Sequence, residues 1–106
     1  MSNDFLHLAT PGEILLEEFI KPLGLTQKAV AQGLDIPESR LSEIINGKLR
    51  INAEYALRLS LYFRMSDQFW TNMQCHYDRQ QLELSKAKEI RSRIKPIRKR
   101  KIAACA

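Results

Sequence analysis

The chain has 106 residues, with 17 Lys/Arg against 12 Asp/Glu and a formal net charge of +5, enough for one modest core but too short for an elaborate enzyme, whose substrate cleft would have to come from an oligomer. No run approaches the ~18 apolar residues of a membrane span. The opening MSNDFLHLAT lacks the basic-then-apolar order of a signal peptide, so a cytoplasmic protein without membrane contact is expected.

In chain order, residues 1–9 read as a loose N-terminal segment, in which Phe5, Leu6 and Leu8 could drape over a core or pair with a neighbouring subunit. Thr10 is placed to cap a first helix, with Pro11 at its first position and Glu13 set for a capping box. Ile14, Leu15 and Phe19 recur at helical spacing, and Pro22 and Gly24 should stop this helix near Ile20 or Lys21. Two short helices follow within residues 26–48. Asn52 then caps a fourth helix, on which Ala56, Leu57, Leu59, Leu61 and Phe63 offer a broad apolar surface. Ser66 caps a fifth, with Asp67 in the first turn, where a negative charge suits the helix dipole. Phe69, Met73 and Tyr77 recur at intervals of four on it, flanked by Trp70. This stripe completes the core, or part of it supplies a dimer contact, since such residues are enriched in interface cores.

Residues 10–84 thus form the folded domain, and 85–106 a basic helix or tail. Leu82, Leu84, Ala87, Ile90 and Ile94 are too sparse for burial, so the helix should project before Pro96 ends it. Charge divides at the same place. Residues 1–85 hold 8 Lys/Arg and 11 Asp/Glu, whereas residues 86–106 hold 9 Lys/Arg against Glu89 alone. SKAKEIRSRIKPIRKRK is therefore either an electrostatic arm that follows a phosphate backbone or a solvated C-terminal stretch without a partner.

The most informative stretch is TQKAVAQGLDIPESRLSEIINGK, residues 26–48. Thr26 can cap a helix whose inward positions are Ala29, Val30 and Leu34; Pro37 opens a second whose apolar side carries Leu41 and Ile44. Two helices joined this tightly cross at roughly 90 to 120°, and the small Ala31 sits where the backbones approach. Asp35 must adopt a positive φ in the turn, Ile36 plugs the space beneath it, and Asn46-Gly47 stops the second helix. This is a helix-turn-helix pattern, and it points to DNA. In that docking mode the second helix enters the major groove and the first crosses the backbone. The groove-facing set is then Glu38, Ser39, Ser42 and Glu43, with one glutamate turned aside to pair with a cation such as Arg40, itself a candidate for phosphate or guanine. Gln27 and Lys28, at the start of the first motif helix, suit backbone contacts, and Asn46, Lys48 and Arg50 form a second phosphate-facing group. Each has an ordinary alternative as an exposed helix position.

The order of TQ, an Ala four residues on, an apolar-Ser pair and a closing NGK resembles the Cro/repressor (XRE-like) helix-turn-helix family. The segments TPGEILLEEFIKPLGLTQ, IPESRLSEIINGK, RINAEYALRLS and SDQFWTNMQCHYD extend the likeness, over residues 10 to about 84, to HigA-type antitoxins. Departures are Asp35 where the family usually has Gly, Gly33 within the preceding helix, and the basic extension after residue 85. The resemblance implies an all-α, compact five-helix Cro/lambda-repressor-like domain. It also implies a homodimer, to which Phe69, Trp70, Met73 and Tyr77 are the tentative contributors, repressing its own operon, and a HigB-type messenger-cleaving toxin as partner.

Three readings compete: an operator-binding regulator, with or without a toxin partner; a toxin-binding protein with residual DNA binding; and an enzyme. For the last, His76 and Asp78 beside Cys75 could be offered as a site, but neighbouring helix positions point in different directions. Cys75 and Cys105 lack the CxxC spacing of a zinc site or disulfide framework. No metal, cofactor or small-molecule substrate is expected.

Overall fold

Capping chemistry starts the first helix where the sequence places it. In a computed structural model that describes residues 9–97, the Thr10 hydroxyl accepts from the Glu13 amide at 3.0 Å and the Glu13 carboxylate accepts from the Thr10 amide at 2.9 Å. The expectations for Phe5, Leu6 and Leu8 and for the end of the basic tail lie outside the described residues. The order is α1 (Pro11–Ile14) continuing as a π-helical stretch (Leu15–Ile20), α2 (Gln27–Leu34), α3 (Glu38–Ile45), α4 (Ala53–Phe63), α5 (Asp67–Ser85) and α6 (Ala87–Arg93). The described residues contain no strand, and none of their helices is long and apolar enough to cross a membrane.

The π-helical stretch was not legible in the sequence, which predicts an ordinary helix to Ile20. Leu15 and Ile20 are both buried, yet on an α-helix residues five apart lie on different sides. The wider turn, with the Lys21 amide donating to the Leu16 carbonyl at 2.9 Å, brings both to the core side.

The core joins Leu15 and Ile20 to Val30, Ala31 and Leu34 of α2, Leu41, Ile44 and Ile45 of α3, Ala56 and Leu59 of α4, and Trp70 of α5. Trp70 is fully covered and lies with its ring centroid 5.0 Å from those of both Phe19 and Phe69. Asn52 and Ser66 cap α4 and α5 as predicted, accepting from the Tyr55 and Gln68 amides.

Several expectations need correction. Leu57 and Leu61 do not belong to the buried surface of α4 but stand 51% and 71% exposed, because only the Ala56–Leu59 side meets the core. Trp70 is closed inside one chain and offers no surface to a partner. Pro37 is the N-cap of α3, with extended ψ of 146°, rather than its first helical residue. The projecting fifth helix is two helices: α5 ends at Ser85, Lys86 leaves helical geometry, and α6 follows with Ala87 buried and Arg91 paired to Glu83 across the break. Leu82, Leu84, Ile90 and Ile94 do remain exposed. With α5 alone spanning about 28 Å by helical rise, the described residues extend 54 × 31 × 24 Å.

Candidate nucleic-acid interface

Local hydrogen bonding sets the angle between α2 and α3. Thr26 accepts from the Ala29 amide at 3.0 Å, opening α2. At its other end Asp35 takes φ 59° and ψ 47°; its amide donates to Gln32 and that of Ile36 to Ala31, each at 3.1 Å. This paired closure with a left-handed residue satisfies carbonyls that a helix end otherwise leaves open. An aspartate does here what glycine does with less strain. Ala31 is buried at the crossing, and Ile36 is half-buried beneath the turn. The same closure ends α3: Gly47 has φ 79°, and the Lys48 amide donates to Glu43 at 2.8 Å.

With Leu41, Ile44 and Ile45 facing inward, α3 presents its other side to solvent. Glu38, Ser39, Arg40 and Glu43 are exposed there, and Ser42 is half-buried. Arg40 lies 3.7 Å from Glu43, so one glutamate is turned aside toward the cation that the sequence nominated. Asn46 donates to Ser42 at 3.3 Å. Lys28 and Lys48 are exposed and Gln27 is half-buried. Arg50 is exposed but engaged, its guanidinium paired with the Asp78 carboxylate of α5.

Three supports behind this face were missed by the sequence reading. Arg58 of α4 reaches across to donate from Nη1 to the carbonyls of Leu34 and Asp35, at 2.8 and 3.1 Å, while Glu54 holds its other edge at 2.8 Å. The Glu54–Arg58 spacing is readable as a helical ion pair; its long-range target is not. Gly12 lets the backbone of α1 touch that of α3, where any Cβ would fall 1.9 Å from the Ile44 carbonyl oxygen. Gln74, only 5% exposed, accepts from the Ile51 amide at 2.8 Å and donates to Asp78 at 3.0 Å, tying the segment after α3 to α5. Gly33 also gains a reason: a Cβ there would meet the Tyr62 ring at 2.2 Å.

Of the tentative dimer residues, Phe69 is 38% exposed, Met73 and Tyr77 are half-buried, and Trp70 is closed off. Cys75 and His76 are exposed neighbours, with His76 3.3 Å from Gln80. In the basic extension Arg91 and Arg93 are committed to Glu83 and Glu89.

Residues 16–70 match the family model described as helix-turn-helix. Virulence-associated protein I of Dichelobacter nodosus is 46% identical over 76 residues, which are 72% of this chain and 70% of that protein. Among solved structures, the Pseudomonas aeruginosa antitoxin HigA with the higBA promoter superposes with a TM-score of 0.78 at 33% identity, covering 83% of this chain and 96% of that one. An addiction module antidote protein of the HigA family from Coxiella burnetii gives 0.76 at 36% identity, over 82% and 95%.

Proposed function

The chain belongs to the helix-turn-helix family, in its Cro/repressor-like branch and with HigA antitoxins among its relatives, and from that premise we propose that it binds operator DNA as a homodimer, represses its own operon, and neutralises a HigB-type messenger-cleaving toxin. The observation that carries the DNA reading is the two-sided α3, buried through Leu41, Ile44 and Ile45 and bare through Glu38, Ser39, Arg40 and Glu43, behind a left-handed turn at Asp35. In this reading α3 enters the major groove, Ser39, Ser42 and Arg40 meet base edges or the adjoining phosphates, and Gln27, Lys28, Lys48 and Asn46 hold the backbone. Glu38 and Glu43 act against the wrong bases, accepting only where a cytosine amine is offered.

A single small domain reads few base pairs; a twofold dimer sets two such helices about 34 Å apart on a palindrome. Phe69 and the exposed Leu82, Leu84 and Ile90 of α5 and α6 are among the exposed apolar side chains and supply that contact in this reading. The net-negative body over residues 1–85 suits a basic ribonuclease as the toxin, and the cationic extension adds salt-sensitive affinity for DNA.

The test is binding of the protein to the DNA upstream of its own gene against an unrelated duplex of equal length, at two salt concentrations. Specific retention that survives the higher salt is expected. Equal, salt-sensitive binding to both duplexes would refute operator recognition. For the toxin, co-expression with the adjacent reading frame should rescue growth that the neighbour alone arrests; no rescue removes that half.

A further inference from the structure

We propose that Asp78 of α5 is a positioning residue for DNA binding: it grips one edge of the Arg50 guanidinium so that the other edge is presented to a backbone phosphate. The inference rests on the DNA reading above and adds to it an element outside the helix-turn-helix.

The geometry is that of a braced side chain. Both Nε, at 3.1 Å, and Nη2 of Arg50 donate to the same oxygen, Oδ2 of Asp78. The other oxygen, Oδ1, accepts from Gln74 Nε2 at 3.0 Å. Gln74 is itself buried, and its Oε1 receives the Ile51 amide at 2.8 Å. Arg50 is therefore tied to α5 twice, through its guanidinium and through the peptide that follows it. Ordinary surface ion pairs lack such backing and contribute little.

Exposure differs across the pair. The Asp78 side chain is 37% exposed and that of Arg50 65%, so the carboxylate lies behind and the guanidinium in front. A guanidinium carries five N–H donors in a rigid fork. The pair uses the Nε/Nη2 edge, and no described residue accepts from Nη1. Arg50 also shares a cleft with Gly47 and Lys48, at the C-terminal end of α3, where the segment leaves the major-groove face. A long cation fixed in advance loses less freedom on meeting a phosphate than one that is free, so bracing raises affinity without a new contact.

The sign of the effect separates this from generic electrostatics. Asp78→Asn removes a negative charge near a polyanion, and Coulomb attraction alone would tighten binding. The proposal expects the reverse: roughly three- to tenfold weaker operator binding, and a salt dependence shallower by about one phosphate contact. Arg50→Lys keeps the charge and leaves the Ile51–Gln74–Asp78 links in place, so it covers the case in which Asp78→Asn does not fold. It should weaken binding by a similar factor, because an ammonium donates from one freely rotating nitrogen, so holding one of its N–H groups does not fix the direction of the others. Combined with Arg50→Ala, the Asp78→Asn change should cost nothing further.

The experiment is operator binding by fluorescence anisotropy at a series of salt concentrations, for the parent, the two single variants, Arg50→Ala and the double variant, with melting curves alongside. A parent that binds no duplex would overturn the DNA reading itself. A parent that binds specifically, with Asp78→Asn equal or tighter, or with Arg50→Lys unchanged, would overturn the bracing and leave the DNA reading intact.

Discussion

Replacing Gly12 by alanine would drive a Cβ to 1.9 Å from the Ile44 carbonyl oxygen and 2.8 Å from the Ile45 Cα. Ordinary carbon–oxygen contacts lie at about 3.3 Å or more, so the backbones of α1 and α3 must separate by more than about 1 Å. Neither side can relieve the clash by rotating a side chain, because both obstacles are main chain. Overpacking a well-filled site costs roughly 1–3 kcal/mol and sometimes more. The smaller unfolded-state entropy of alanine returns about 0.4–1 kcal/mol. With both obstacles in the main chain the upper end of that cost applies, so a net loss of about 2 kcal/mol is expected, or roughly 8–16 °C in the melting temperature of a domain this size.

Ile44 and Ile45 end the helix that carries the candidate base contacts, so the displacement should also reach function. Below the onset of its own melting transition, the Gly12→Ala variant should hold operator DNA more weakly than the parent while its helical circular dichroism is retained. Gly47→Ala is the companion measurement. There a Cβ would find its nearest neighbour, a Thr10 methyl, at 3.7 Å, and only the φ of 79° opposes it, so about 1–2 kcal/mol of conformational strain is expected without a clash. A Gly12→Ala protein that melts within a degree or two of the parent would refute the close approach of α1 to α3.

Four further perturbations read other parts of the structure. Arg58→Ala removes both hydrogen bonds from Nη1 to the Leu34 and Asp35 carbonyls; thermal unfolding should show a loss of about 1–2 kcal/mol, and an unchanged melting point would mean the turn stands without it. Trp70→Ala should cost about 3–5 kcal/mol in denaturant unfolding, whereas Trp70→Phe should cost much less, because the buried indole N–H meets no acceptor among the described residues; equal costs would contradict this. Arg64 closes α4 with φ 59°, so Arg64→Gly should raise stability by about 0.5 kcal/mol as left-handed strain is relieved; a lower melting point would show that the arginine side chain outweighs its backbone. Glu83 is held below its ordinary 4.5 chiefly by the hydrogen bond from Arg91, which outweighs the opposing desolvation, with smaller help from the charges of Arg91 and Arg79. Its folded value being depressed, its contribution is complete above the unfolded value and disappears as pH falls through the folded one. Protection factors of the α6 amides, corrected for the intrinsic pH dependence of exchange, should therefore fall only in acid below about 4.5 and stay level between pH 5 and 7; an α6 whose protection is lost at neutral pH would discard the Glu83–Arg91 tie.

Elements whose causes are local were legible. Thr10, Thr26, Asn52 and Ser66 cap helices because a short oxygen-bearing side chain next to a helix start has one nearby amide to satisfy. Asp35 was placed in the left-handed turn because two amphipathic runs so close together leave no other position for reversal. Arg64 takes the same conformation without any comparable signal. Nothing in its neighbours distinguishes it from a residue continuing the helix, and only the arrival of α5 against α4 forces the reversal. Leu57 and Leu61 failed for a related reason: periodicity names an apolar side but not how much of that side another element will cover, and α5 covers the Ala56–Leu59 line alone.

The α3 surface was legible in the same local sense, since helical phase divides Leu41 and Ile44 from Glu38, Ser39 and Glu43. Its supports were not, because each is a contact between residues distant in sequence. One signal did exist for the brace on Arg50. Trp70, Gln74 and Asp78 lie four apart, parallel to the Phe69, Met73 and Tyr77 stripe, and the most buried side chain of α5 is on the first of these lines. A glutamine one turn beyond a fully covered tryptophan faces the same interior, where an amide must find partners on both its oxygen and its nitrogen. The carboxylate one turn further on sits where that interior meets solvent, and it has room there for both the amide and a cation. Reading polar residues in line with the deepest aromatic, rather than apolar residues alone, would have pointed to α5 as the support of the face it stands behind.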